Sequence, residues 1–111
     1  MKLKNQDYGH TCVVSITGSI DALTSTEVQG NFQKLYNQGK YNLVVDLAQV
    51  DFMSSAGLRV IIAAHKETLQ HGGDIRLAAA RPEVERMLNI SGFTNIVKTY
   101  ADVEAAVAGF E

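Results

Sequence analysis

Apolar residues follow two spacings along the chain, one typical of strands and one typical of helices. A run rich in β-branched residues predicts a strand at 11–17, and shorter apolar runs predict strands at 41–47 and 74–80, with a short last strand at 96–97. The polar segment 1–8 is compatible with an edge strand. The run at 41–47 is almost continuously apolar, which indicates a strand covered on both faces at the centre of a parallel sheet.

The first predicted helix has both a start signal and a stop signal. Thr24 and Glu27 have the spacing of a capping box, and Leu23 and Val28 stand at the positions of a hydrophobic staple. Gly39 supplies the left-handed residue at which such helices commonly end. We therefore expect a helix that begins after Thr24 and ends before Gly39.

Three further helices are predicted. The second begins near Ser55 and ends at the glycine pair 72–73, the third has Pro82 in its first turn and closes at Gly92, and the fourth is capped by Asp102. Their inward faces are apolar at helical spacing: Leu58, Ile61, Ile62, His65 and Leu69 in the second, Val84, Met87 and Leu88 in the third, and Val103, Ala106, Val107 and Phe110 in the fourth.

Strands alternate with helices from residue 11 onward, which is typical of an α/β protein with a mostly parallel sheet. We expect a mixed sheet of about four to five strands packed with about four helices, in a single domain over 1–111. Right-handed crossovers place each helix start near the carboxyl end of a strand. The turns at 18–24 and 51–57 then share one edge of the sheet, so Asp21 and Ser55 should be neighbours.

The composition narrows the class of protein. The 111 residues carry a formal net charge of -2 and no cluster of Lys or Arg, whereas nucleic-acid binding requires a basic surface. No apolar run is long enough to span a bilayer, and segment 1–10 lacks the apolar core of a signal peptide. The single cysteine, Cys12, excludes an internal disulfide. We expect a cytoplasmic protein with no nucleic-acid or membrane partner.

Two hydroxyls stand where the second helix begins. Ser54 and Ser55 fall among the free backbone N–H groups of a helix N-terminus, where a serine either caps the helix or carries a phosphate. A phosphate would add about -1.5 to -2 charge and three acceptor oxygens, and the positive end of the helix would tolerate it without unfolding. The residues alone leave both capping and reversible phosphorylation open.

Other chemistries fit the residues less well. A hydrolase with Ser55 as its nucleophile would need a G-x-S-x-G turn and a histidine base, and neither His10, His65 nor His71 is placed to serve. A two-component receiver domain would need an acidic pair after its first strand, which 16–18 lacks. The His, Cys and carboxylate residues do not have the spacing of metal ligands, and the glycines do not form a nucleotide-binding loop. We therefore expect no metal site, no cofactor and no enzymatic activity.

Several short motifs stand in a fixed order along the chain: 18–21 (GSID), 42–47 (NLVVDL), 50–58 (VDFMSSAGL), 72–73 (GG) and 87–93 (MLNISGF). With these motifs the chain resembles the STAS family, specifically its stand-alone anti-sigma factor antagonists. The resemblance covers nearly the whole chain and is strongest at 42–47, 50–58 and 72–73. The resemblance implies the STAS fold and a regulatory protein with no catalysis of its own.

The family resemblance also implies a mechanism of partner switching. The unphosphorylated antagonist binds an anti-sigma factor that is also a GHKL-type serine kinase, which frees a sigma factor. Phosphorylation releases the antagonist, and a PP2C-type phosphatase restores it. The serine that matches the family's phosphorylated serine is Ser55, and Asp21 matches a loop acid beside it. We expect a partner-binding surface of Asp21, Ser54, Ser55, Gly57 and Arg59. Because the kinase supplies ATP and Mg²⁺, we expect the chain to need no cofactor. We also expect it to be a monomer when free.

One departure from the family concerns the residue before the phosphorylated serine. Many phosphorylated members carry Asp there, whereas this chain has Ser54, and Ala56 stands where Ser or Thr is often found. Ser54 offers a second hydroxyl as an alternative phosphorylation site and removes a negative charge that a kinase could recognise. Two alternative functions remain: a partner switch whose output is not a sigma factor, and a STAS module that senses a small ligand or nucleotide.

Overall fold

Five strands form one sheet in the computed structural model, which describes residues 1–110. The strands are β1 (Lys2–Tyr8), β2 (Thr11–Ile20), β3 (Asn42–Met53), β4 (Asp74–Ala78) and β5 (Lys98–Tyr100), and they lie side by side in chain order. β1 is antiparallel to β2, and the other neighbouring strands are parallel. The prediction of a mostly parallel α/β sheet is confirmed, as is the edge strand at its start.

Within the described residues, four helices cover the sheet in two layers. α1 (Ser25–Asn37), α2 (Ser55–Gln70) and α3 (Pro82–Ile90) pack on one face around the larger core, and α4 (Val103–Ala108) packs on the other. A short 3₁₀ turn, Phe93–Asn95, follows α3. The smaller core beneath α4 consists of Val13, Val44, Ala78 and Ala106. Among residues 1–110, no helix has both the length and the apolar character that a membrane span requires.

The start of α1 differs from the prediction. Thr24 precedes the helix, but its side chain makes no capping bond and Leu23 is 81% exposed, so neither the capping box nor the hydrophobic staple forms. The Thr24 hydroxyl instead donates to the carbonyl oxygen of Ser19 at 2.8 Å. The helix itself is confirmed, whereas its predicted cap is wrong because the preceding turn already occupies the Thr24 side chain.

The two central strands are longer than the sequence predicts. β2 continues past Gly18 to Ile20, and β3 continues past Leu47 to Met53. Gly18 does not end its strand because its φ of 115° is accommodated inside an irregular, bulged pairing of β2 with β3. Only Ser54 therefore separates β3 from α2, where the sequence predicted a longer turn.

Later elements are shifted relative to the prediction. β4 ends at Ala78 because Ala79 adopts a left-handed backbone with φ of 59°. The last strand is Lys98–Tyr100 rather than 96–97, because Ile96 still has helical backbone angles after the 3₁₀ turn. Leu69, which was predicted to face the core from α2, is 52% exposed, and Thr68 is buried on that helix instead.

Glycines end α1 and α2 as predicted. Gly39 and Gly72 both have the positive φ of a left-handed helix terminus. Gly73 is needed for a different reason, because a side chain there would collide with the carbonyl group of Tyr41. Gly72 therefore ends α2, and Gly73 lets the turn before β4 lie close to the turn before β3, at the amino edge of the parallel strands.

Candidate functional site

The turns after β2 and after β3 meet at the carboxyl edge of the sheet. Ile20 and Met53, the last residues of the two strands, are paired across the sheet. The N–H group of Ser54 donates to the carbonyl oxygen of Ile20 at 2.8 Å. Asp21 directly follows Ile20, and Ser54 directly follows Met53, so the two residues leave neighbouring strands side by side. Ser55 is the next residue after Ser54. The structure brings together the two segments that the sequence predicted to share an edge.

Asp21 shapes the turn between β2 and α1. Its Oδ1 accepts hydrogen bonds from the N–H groups of Leu23 and Thr24, both at 2.9 Å. The Thr24 hydroxyl in turn accepts from the N–H of Asp21 at 2.9 Å. The Thr24 hydroxyl also lies 3.1 Å from Oδ1 of Asp21. The hydrogen bonds from the backbone N–H of Thr24 and then from its hydroxyl are the main causes that hold the pKa of the Asp21 carboxyl below its usual value. Asp21 is therefore ionised and locally satisfied through one of its oxygens.

The two hydroxyls at the start of α2 have different surroundings. Ser54 is half-buried with an extended backbone, and its Oγ accepts from the N–H of Gly57 at a long 3.5 Å, so Ser54 is the N-cap residue. Ser55 is the first helical residue and is exposed, and within residues 1–110 its hydroxyl makes no hydrogen bond. The capping role that the sequence left open falls to Ser54, and the free hydroxyl is that of Ser55.

Gly57 is a packing residue in this structure. It is buried, and a β-carbon there would lie 2.8 Å from Cγ2 of Ile20 and 2.9 Å from Cγ of Met53. Real β-carbons essentially never approach other atoms so closely. The glycine lets the first turn of α2 lie directly on the ends of β2 and β3. The expected contribution of Gly57 to a partner-binding surface is therefore indirect.

Three exposed side chains belong to the segments that meet at this edge of the sheet. Arg59 lies four residues after Ser55, on the same face of α2, and forms no salt bridge with a described residue. Leu23 is 81% exposed in the turn before α1, and Phe52 is 54% exposed at the end of β3. The sequence pattern did not indicate an exposed Leu23, because a hydrophobic staple would place this residue against the helix. A large apolar side chain in a turn beside a candidate site was the available signal.

Among residues 1–110, the acidic side chains near the strand ends make local bonds, and His65 lies far from Ser55. Asp46 accepts from the N–H of Ala48 at 3.0 Å and Asp51 accepts from the Ser19 hydroxyl at 2.7 Å, which are local turn and pairing bonds. His65 lies ten residues after Ser55 in α2, about 15 Å away by helical rise. Within residues 1–110, no group of three His, Cys, Asp or Glu side chains could hold a metal ion.

Sequence comparisons relate this chain to one known domain family. It matches the model of the STAS domain family over residues 2–106. BtrV of Bordetella bronchiseptica, provisionally named an anti-sigma factor antagonist, is 29% identical over 111 residues, which cover 100% of this chain and 96% of BtrV. The anti-sigma-B factor antagonist of Bacillus subtilis is 29% identical over 94 residues, which cover 85% of each chain.

Solved structures share the fold. SpoIIAA, an anti-sigma factor antagonist, superposes in its unphosphorylated form with a TM-score of 0.81 at 18% identity, over 96% of this chain and 93% of SpoIIAA. The phosphorylated form of SpoIIAA, described as a Bacillus cell fate determinant, gives a TM-score of 0.75 at 17% identity, over 99% of this chain and 100% of that one. At these identities the likeness shows the fold alone.

Replacing Gly57 tests its packing role. We expect Gly57→Ala to lower the free energy of unfolding by about 1–3 kcal/mol, because the new methyl group overpacks against Ile20 and Met53. Gly30→Ala is the matched control, since a β-carbon there meets nothing within 4 Å in the middle of α1. The control should gain about 0.5–1 kcal/mol. Urea unfolding measures both, and a Gly57→Ala protein as stable as the wild type would contradict the packing role.

Asp21 should contribute to the acid sensitivity of the fold. Because its pKa is lowered in the folded protein, the ionised carboxylate adds stability above its unfolded pKa of about 3.9, and this stability is lost as the pH falls through the folded value. We expect Asp21→Asn to lose less stability than the wild type between neutral pH and about pH 2. Unfolding midpoints of both proteins, measured across that pH range, test this expectation. An identical pH dependence of stability in the two proteins would contradict a role of Asp21 in acid sensitivity.

Proposed function

This chain belongs to the STAS domain family, and we propose that it is an anti-sigma factor antagonist that is switched off by phosphorylation of Ser55. The observation that carries the proposal is the geometry at the start of α2. The Ser55 side chain is exposed and free of hydrogen bonds to the described residues, whereas Ser54 is half-buried and caps the helix. A kinase could therefore reach the Ser55 hydroxyl without disturbing the cap.

The start of α2 is suited to a phosphate. The N–H groups of Ser55 and Ala56 have no helical partner, because the first helical bond runs from the N–H of Leu58 to the carbonyl of Ser54. The first turn of this 16-residue helix holds no acidic residue, and Arg59 stands on the face of Ser55. The added charge of about -1.5 to -2 would change the surface potential and leave the fold intact.

The expected partner is an anti-sigma factor that is also a serine kinase of the GHKL type. Relatives along the full length of this chain are named anti-sigma factor antagonists, which supports an anti-sigma factor as the binding partner. In this proposal the kinase supplies ATP and Mg²⁺, and a PP2C-type phosphatase returns the antagonist to its binding form. The chain acts as a single cytoplasmic domain, monomeric when free, and performs no catalysis.

The proposed contact surface consists of Asp21, Leu23, Ser54, Ser55 and Arg59. Leu23 is exposed in the turn after β2, at the same edge of the sheet as the serines, so this surface combines apolar area with polar groups, as the centre of a binding surface usually does. Asp21 contributes chiefly by holding the turn that presents Leu23. A phosphate on Ser55 would place a charge within this surface, and burying that charge in an interface is unfavourable.

The same surface would serve a partner switch whose output is not a sigma factor. A ligand-sensing module and a hydrolase find less support. The hydrolase would need a base beside Ser55, and His65 lies about 15 Å further along α2.

Substitution of the two serines should separate their roles. We expect Ser55→Ala to stay bound to the anti-sigma partner in the presence of ATP and to take up no phosphate, because the accessible hydroxyl is gone. Ser55→Asp should bind at least about tenfold more weakly, since it places a charge in the contact. Ser54→Ala is the control: it should still be phosphorylated while losing up to about 1 kcal/mol of capping stability.

Intact-mass measurement after incubation with the kinase checks the assignment. Phosphate on Ser55→Ala, together with none on Ser54→Ala, would move the site to Ser54. If the wild-type chain binds the kinase but takes up no phosphate from it, phosphorylation is not the switch that we propose.

Leu23 should contribute binding energy without contributing stability. Because its side chain is 81% exposed, Leu23→Ser should leave the melting temperature unchanged. Burying a leucine is worth about 1.5–3 kcal/mol, so affinity for the partner should fall about tenfold or more. Leu69→Ser is the matched control, because Leu69 is 52% exposed near the far end of α2. Calorimetric titration decides, and equal affinities for the two variants would exclude Leu23 from the surface.

A further inference from the structure

β3 carries two extra residues just before the serines. Ser15 of β2 pairs with Asp46, and Ile20 pairs with Met53, so β3 takes seven steps where β2 takes five. The pairing shifts once between Ser15 and Thr17 and again between Gly18 and Ser19. Such bulges bend a strand and redirect its end. The position of the turn that follows Met53 therefore depends on how these bulges are held.

Side chains hold the first bulge, where Ala48 has no partner in the pairing of β2 with β3. The N–H of Ala48 donates to Oδ1 of Asp46 at 3.0 Å, and the carbonyl oxygen of Ala48 accepts from Nε of Arg81 at 2.9 Å. Arg81 also reaches Oε1 of Gln49 with Nη2, at 3.5 Å. The Ser15 hydroxyl holds the other carboxylate oxygen of Asp46 at 3.3 Å. Both backbone groups of Ala48 are thus satisfied by side chains.

Arg81 belongs to a different part of the chain and is brought to the bulge by an unusual turn. It is the residue before α3, and its side chain makes no capping bond to that helix. Ala79, two residues earlier, has a left-handed backbone with φ of 59°, and its N–H donates to the carbonyl of Tyr100 at 3.1 Å. A left-handed alanine costs about 1–2 kcal/mol. The turn lies just past the end of β4, and from it the Arg81 guanidinium reaches the neighbouring strand β3.

We propose that Arg81 is a positioning residue for the turn that carries Ser54 and Ser55. By fixing the carbonyl of Ala48 and the side chain of Gln49, it sets the path of the last residues of β3 and so the place where α2 begins. The consequence for phosphorylation and partner binding rests on the proposed function. The structural consequence, a looser bulge and a looser Ser54 turn without Arg81, does not.

Amide hydrogen exchange tests the structural part without any partner. In Arg81→Ala we expect the amides of Ala48 and Ser54 to exchange about fivefold faster or more, because the charge-assisted bond that closes the bulge is gone. The amide of Lys40, which donates to Leu35 at the opposite edge, should be unchanged. Arg86→Ala is the matched control, since Arg86 is an exposed arginine on α3. It should leave all three amides unchanged.

Phosphorylation kinetics test the functional part. The kcat/KM for phosphorylation should fall about fivefold in Arg81→Ala, in step with the loosened turn, and Arg81→Lys should recover part of it because one ammonium can still donate to the Ala48 carbonyl. Unchanged exchange at Ala48 and Ser54 would overturn the proposal. Faster exchange spread over the whole sheet would also overturn it, because Arg81 would then support stability in general. If the wild type is not phosphorylated at all, the proposed function fails and the exchange result still decides the role of Arg81.

Discussion

The close packing of the first turn of α2 on the ends of β2 and β3 is the constraint on which the site depends. Gly57 lies against Ile20 and Met53 with no room for a side chain. In the same place the N–H of Ser54 bonds to the carbonyl of Ile20 at 2.8 Å. These contacts fix the helix start against the turn that holds Asp21. The free N–H groups of α2, the exposed hydroxyl of Ser55 and the β2–α1 turn therefore meet at one edge.

The residues of the site fall into two groups, those that build the turns and those that are exposed for contact. Ser54 and Asp21 use their side chains to build the two turns, one as a helix cap and the other as an acceptor for the turn before α1. Ser55, Leu23 and Arg59 remain outward and available for contact. A site arranged in this way can change its surface charge by modification at Ser55 while the cap and the turns persist. That separation of scaffold from contact is what a reversible binding switch requires.

The sequence predicts the order of elements well and the details of their junctions poorly. Periodic apolar residues and glycine stops are local signals, so α1, α2 and the central strand could be recognised. Local spacing misled at Thr24 and Leu23, because the hydroxyl of Thr24 is bonded to Ser19, a contact that the capping-box pattern does not contain. The tight contact at Gly57 and the bond from Arg81 to Ala48 join residues distant in sequence, so no periodic pattern could reveal them.

The most direct test of the switch compares the unmodified and the Ser55-phosphorylated chain by NMR and by calorimetric titration with the anti-sigma factor. The proposal predicts amide shift changes confined to 21–24 and 54–59, with the rest of the spectrum superimposable and the affinity lowered at least about tenfold. Shift changes spread through the sheet and α4 would contradict a switch that leaves the fold intact. Equal affinity of the two forms would contradict the switch itself.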